Sequence, residues 1–159
     1  MGSGARLDPR DQAVGDAQRQ LSTLWQRVIR HLQVPVSLDP LGSWLDQLAD
    51  LARDCSTENW DGYGARPLLV GALREAALVL RSLPPGVVEP EIAAEPDGSI
   101  GVEWRKDEGQ RFAVSLAGIG RIFFSGVYRD GTSERGVEVL GEGFPLKLRE
   151  ALVARFPEP

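Results

Sequence analysis

One cysteine and one histidine serve all 159 residues, and that scarcity removes whole classes of chemistry at the outset. Cys55 has no second cysteine with which to close an internal disulfide. A structural zinc site needs four Cys or His ligands, more than the chain owns. Any Ser-His-Asp or Cys-His arrangement would have to recruit His31, which falls in the last turn of an amphipathic segment, where a cation suits the carbonyl end of a helix. Cys55 falls on the apolar stripe of another helix and reads as a small buried hydrophobe rather than a nucleophile. No catalytic residue, cofactor or metal ligand set is expected.

Long apolar runs are missing too. No stretch of about 18 apolar residues could cross a bilayer, and no basic leader precedes an apolar h-region, so the expected compartment is the cytoplasm. Eighteen Lys and Arg stand against 23 Asp and Glu, a formal charge of -5, which disfavours general affinity for phosphate backbones and makes nucleic acid an unlikely partner. What is present is apolar content: 42% hydrophobic residues in a chain of one-domain length, enough for a core without covalent staples.

Residues 1–9 read as a flexible start. Over 10–33, Val14, Ala17, Leu21, Leu24, Trp25, Val28, Ile29 and Leu32 recur at helical spacing on one side, with Gln12, Asp16, Arg19, Arg27 and Arg30 on the other. This predicts an amphipathic N-terminal helix. A proline linker over 34–40 breaks it, since Pro35 and Pro40 cannot extend the hydrogen-bond ladder. The rest, 41–159, is expected to form an α+β domain. Its first helix starts near Leu41, with Asp39 as cap and the stripe Leu41, Trp44, Leu45, Leu48, Leu51, Ala52 and Cys55. Pro67 is expected to open the next helix, with Leu69, Ala72, Leu73, Ala76, Leu80 and Leu83 inward, ended by Pro84-Pro85-Gly86.

Beyond Gly86 the period changes to two. Ile92 and Ala94 precede a Pro96-Asp97-Gly98 turn; Ile100, Val102 and Trp104 alternate with Gly101, Glu103 and Arg105; Phe112, Val114 and Leu116 alternate again. Ile122 to Tyr128 makes a further strand, and Val137 and Val139 mark a weaker edge. The pattern predicts a four- to five-stranded antiparallel meander with helices on one face, closed by a helix from Pro145 to Phe156. The other face, carrying Glu103, Arg105, Arg111 and Ser115, is left for water or a partner.

Two acidic patterns invite a catalytic reading. Asp97 followed by Glu103-Trp104-Arg105-Lys106 superficially resembles the acid, acid-x-lysine signature of a nuclease superfamily, but Asp97 sits in a turn, the two acids are close in sequence, and arginine stands where lysine belongs. Asp46, Asp50 and Asp54 share a register along one helix, joined by Glu58 and Asp61; they form either a surface for a basic partner or a solvated face relieved by Arg53. On the N-terminal helix, Arg19, Arg27 and Arg30 are candidate docking residues, diluted by glutamines and Asp16.

The distinctive segment is Glu58-Asn59-Trp60-Asp61-Gly62-Tyr63-Gly64-Ala65. Asp61-Gly62 favours a tight turn, and Gly62 and Gly64 permit positive φ. Asn59 and Asp61 can satisfy amide groups at the adjoining helix ends, while Trp60 and Tyr63 either plug the junction or present aromatic anchors. The segment is thus an interhelical clasp or a partner site.

This string, followed by a proline and a helix, then the Pro-Asp-Gly hairpin and the Glu103-Trp104 strand, resembles a family of small uncharacterised bacterial proteins over about Trp44 to Phe156. Members of that family usually carry a polar capping residue two positions after the proline, where this chain has Leu69. The resemblance implies bacterial origin and a shared architecture, and no activity. The leading expectation is a non-catalytic protein-interaction module of a bacterial accessory system, antitoxin-like, immunity-like or defence-associated. Its partner would be another protein encoded nearby, and the N-terminal helix could support a homo-oligomer. The alternatives are a metal-assisted phosphodiesterase or nuclease-like hydrolase using Glu58, Asp61 or Glu103, and a nucleic-acid binder using Arg19, Arg27 and Arg30.

Overall fold

The computed structural model describes residues 40–107 and 109–159. The expected flexible start, the N-terminal helix with Arg19, Arg27, Arg30 and His31, and the linker up to residue 39 lie outside the described residues.

Within them the chain is α+β. Helices α1 (Pro40–Asp54) and α2 (Val70–Arg81) are followed by strands β1 (Glu91–Ala94), β2 (Ile100–Lys106), β3 (Gln110–Leu116), β4 (Arg121–Val127) and β5 (Ser133–Val139), then helix α3 (Leu146–Arg155). The strands pair antiparallel in chain order, the arrangement that short hairpin turns enforce. Alternation assigns the faces. Ile100, Val102, Trp104, Phe112, Val114, Leu116, Ile122 and Phe124 are buried on the inner face, where they meet Leu48, Ala76, Leu80, Leu148, Leu152 and Phe156 from the three helices and their ends. Trp104 and Phe112, cross-strand partners with ring centroids 6.0 Å apart, form the centre of this core.

Helix α1 buries Leu45, Leu48 and Ala52 and exposes Asp46, Asp50 and Asp54, so its apolar stripe runs as the spacing predicts. The start of α2 departs from expectation. Pro67 does not open the helix; residues 66–69 stay extended because they bond to the β1–β2 turn, with the Arg66 N–H donating to Pro96 O at 2.8 Å and the Leu69 N–H to Gly98 O at 2.9 Å. The helix begins at Val70 with Leu69 as an N-cap that offers no side-chain bond, and Leu69 is exposed rather than inward.

The first turn of α2 is also fixed by close approach. A Cβ on Gly71 would lie 2.8 Å from Gly118 Cα, so the helix rests directly on the β3–β4 turn. The buried Glu75 carboxylate then takes the Gly118 N–H at 2.7 Å and the Gly120 N–H at 2.6 Å. Sequence reading missed Glu75; its only signal was an acid beside the apolar stripe.

Candidate functional site

The loop between α1 and α2 is closed on itself. Asn59 adopts a left-handed φ of 60°, which its short polar side chain tolerates better than most, and its N–H donates to Ala65 O at 2.7 Å while Asn59 O accepts from the Gly62 N–H at 3.0 Å. Its side-chain Oδ1 takes the Gly64 N–H at 2.7 Å. Asp61 Oδ1 takes two more amides, from Tyr63 at 2.8 Å and Ala65 at 3.0 Å. Gly62 at φ 78° and Gly64 at φ 93° supply the reversals expected of them. Asn59 and Asp61 therefore satisfy amides of the loop itself and not those of the adjoining helix ends.

The two aromatics divide the roles that had been assigned to both. Trp60 is partly buried against the core, and its indole N–H donates to Arg66 O at 2.8 Å, so it clasps the chain as it turns toward the sheet. The clasp is completed by the Leu68 N–H to Cys55 O bond at 2.9 Å and by Gly98, whose missing side chain lets Pro67 O approach within 2.6 Å of its Cβ position. Tyr63 takes no part in this: it stands at the tip, 94% exposed, between glycines with no heavy atom near their Cβ positions. Glu58 and Asn59 beside it are exposed as well.

Several of the carboxylates singled out from the sequence have structural occupations, while Asp46 and Glu58 are exposed. The Asp61 carboxyl is held below the usual range, chiefly by the Tyr63 amide and then by that of Ala65. Asp97 takes both the hydroxyl and the amide of Ser99, which hold its carboxyl low. Glu103 faces outward and pairs with Arg105 at 2.8 Å. On α1, Arg53 bonds Asp50 at 2.8 Å and Asp54 at 3.2 Å, the relief that its position suggested. Cys55 is buried, and that burial, then the nearby Asp54 charge, pushes its thiol up and away from the reactive thiolate. Among the described residues no group of three or more His, Cys, Asp or Glu is placed to hold a metal ion.

A second candidate surface is the outer face of the sheet. The register aligns two cross-strand rows there: Glu91, Glu103, Ala113, Ser125 and Arg135 in one, and Ala93, Gly101, Ser115, Phe123 and Val137 in the other. Small residues at the centre make the floor of an open trough of about 860 Å³. Phe123, Val127, Val137 and Val139 are exposed toward the β5 side. At the end of the trough beside the β1–β2 turn, the Glu95 carboxylate accepts from Ser115 Oγ at 2.9 Å, lies near Ser99 Oγ, and covers Gly101, where a Cβ would lie 2.8 Å from it.

No family model, curated protein or solved structure matches the chain. No helix among the described residues is long and apolar enough to cross a membrane.

Proposed function

We propose that this protein is a non-catalytic interaction module of a bacterial accessory system, antitoxin-like, immunity-like or defence-associated, and that it grips another protein with the tip of the 58–65 loop. One observation carries the reading: Tyr63 is 94% exposed on a loop whose backbone is tied down by Asn59 and Asp61. A tyrosine offers large amphipathic contact area with few rotatable bonds, and a pre-formed loop has little backbone entropy left to lose on binding. Such anchors supply most of the affinity at many interfaces. Exposed Asp50, Asp54 and Glu58 lead from α1 to the loop, which favours a partner with a basic rim around an apolar pocket. The cytoplasm is the compartment in which this reading places the encounter, and a neighbouring gene is the source it assigns to the partner.

The test is affinity capture by the full chain of proteins encoded beside it, repeated with Tyr63→Ala. Retention of the partner is expected to fall at least tenfold with an unchanged melting temperature. A Tyr63→Ala chain that keeps every partner removes the loop from the interface.

A further inference from the structure

The two edges of the sheet are finished differently. Strand β1 is short and has α1 packed against it, with the Trp44 indole N–H donating to Glu89 Oε1 at 3.1 Å beside its start. Strand β5 runs for 7 residues, and among the described residues β4 is its one strand neighbour. The bonds that flank this pair show which way its backbone points. The Tyr128 N–H donates to Thr132 O and the Leu140 N–H to Gly120 O, both at 2.9 Å, so the even-numbered residues of β5 turn their amides toward β4. Ser133, Arg135, Val137 and Val139 therefore direct N–H and C=O out of the sheet. Such a row is a template for another strand unless proline or a bulge interrupts it. Strand β5 contains no proline, and its register with β4 runs without a bulge.

The same strand is self-complementary in one register. In an antiparallel pair, residues directly opposite share a face, so each alignment of β5 with a copy of itself is defined by the residue on the two-fold axis. An axis at Glu134, Arg135 or Glu138 sets a charged side chain against itself. An axis at Gly136 sets Glu134 against Glu138, again like charges. An axis at Ser133 or Val139 leaves most of the strand unpaired. At Val137 no like charges stand opposite: Arg135 meets Val139, and Glu138 meets Gly136. Both acids of β5 are moreover engaged within their own chain, Glu138 with Lys147 Nζ at 3.5 Å and Glu134 with the Tyr128 hydroxyl.

We propose that β5 pairs with β5 of a second copy of this chain, antiparallel about a two-fold axis at Val137, joining two sheets into one. Val137 bonds Val137 of the second copy and Arg135 bonds its Val139, each pair exchanging both N–H···O bonds. On the outer face Phe123 and Val137 are cross-strand partners, both exposed in the single chain. Across the axis they continue into Val137 and Phe123 of the second copy, so one apolar row is covered from both sides. The contact uses the same edge twice, and assembly stops at the dimer. The Tyr63 loop is tied through Arg66 and Leu69 to the β1–β2 turn, on the other side of the sheet. Both loop tips stay free, and the pairing is independent of the role given to Tyr63.

Sedimentation velocity of the full chain tests it, over about a hundredfold range of concentration reaching about 1 mM. The native chain should show a monomer-dimer equilibrium and no larger species. Val137→Lys and Val137→Glu each bring like charges together on the axis and should stay monomeric, with circular dichroism unchanged because Val137 is exposed. An equimolar mixture of the two variants should dimerise again, since lysine then meets glutamate. Amide exchange of the native chain needs no variant: the Val137 and Val139 N–H groups should exchange about tenfold more slowly at the concentrated end than at the dilute end. If either variant loses its fold, that exchange result decides alone. A native chain monomeric throughout, charge variants that dimerise by themselves, or a mixture that stays monomeric would overturn the proposal. So would protection that is equal at both ends, which would give the edge to another part of the same chain.

Discussion

The Glu75 carboxylate accepts the backbone N–H of Gly118 at 2.7 Å, joining the middle of α2 to a turn 43 residues later. The same carboxylate takes Gly120 through its other oxygen, so one side chain closes two amides of the β3–β4 turn. Removing a buried acceptor leaves its donors without partners, which generally costs more than the bond contributes. Glu75→Ala is expected to destabilise by about 2 to 4 kcal/mol, and Glu75→Gln, which keeps one carbonyl acceptor, by roughly half that. Urea unfolding of the two variants measures the difference. A cost within error of zero for Glu75→Ala would mean that the turn holds its geometry without the helix.

Gly118 makes the complementary prediction. It sits at φ 78°, and an added Cβ would lie 2.8 Å from Gly71 backbone atoms. Gly118→Ala meets both backbone strain and overpacking and should cost about 1 to 3 kcal/mol. In combination with Glu75→Ala the loss should be less than additive, because both act on one contact between α2 and the turn. A fully additive double variant would separate the two interactions.

The meander was legible because its signal is redundant: alternation from Ile100 to Trp104, from Phe112 to Leu116 and from Ile122 to Phe124 agrees with the turns between the strands. The apolar stripe of α1 was legible for the same reason at helical period. The start of α2 was not, because Pro67 is compatible with a first helical turn and nothing local records that Leu69 is held extended by Gly98. Partner backbone 30 residues away leaves no periodic trace. In the loop, the left-handed glycines could be read, while the split between Trp60 and Tyr63 depends on which ring meets the core, a tertiary fact.

Three turns are capped by carboxylates held below their ordinary range, which predicts an acid limit. Asp61 is lowered chiefly by the Tyr63 amide, Asp97 by the Ser99 hydroxyl and then its amide, and Asp130 by the Thr132 hydroxyl and then its amide. A carboxyl depressed in the folded state contributes stability that is complete above its unfolded pKa, about 3.9, and lost as pH falls through the lower folded value. The contribution should therefore be flat from pH 7 to about 5 and decline progressively below about 4. Melting scans of the native chain and of Asp61→Asn, which keeps an oxygen acceptor without the charge, should converge as the pH approaches 2. Curves that stay parallel down to that pH would show that ionisation of Asp61 contributes nothing.

The contrast between Tyr63 and Gly98 separates recognition from folding. Tyr63→Ala removes a side chain that is 94% exposed and should shift stability by no more than about 0.5 kcal/mol. Gly98→Ala must fit a Cβ 2.6 Å from Pro67 O at φ 89°, and should cost about 1 to 3 kcal/mol by loosening the clasp. Thermal unfolding monitored by circular dichroism ranks the two. A Tyr63→Ala chain as unstable as Gly98→Ala would make the ring part of the fold.

Asn59 carries two functions that substitution can divide. Its backbone occupies φ 60°, and its side chain accepts the Gly64 N–H at 2.7 Å. Glycine in its place keeps the backbone conformation at no steric cost and loses the side-chain bond, about 1 kcal/mol, enlarged by the flexibility that glycine adds to the unfolded chain. Alanine loses the bond and also pays for the left-handed conformation, about 1 kcal/mol more. Stability is therefore expected to fall in the order Asn59, Asn59→Gly, Asn59→Ala, and exchange of the Gly64 amide should quicken in both variants because its acceptor is gone. If alanine proves as stable as glycine, the loop has relaxed to a negative φ, and the rigid platform beneath Tyr63 on which the interaction reading depends is not built by Asn59.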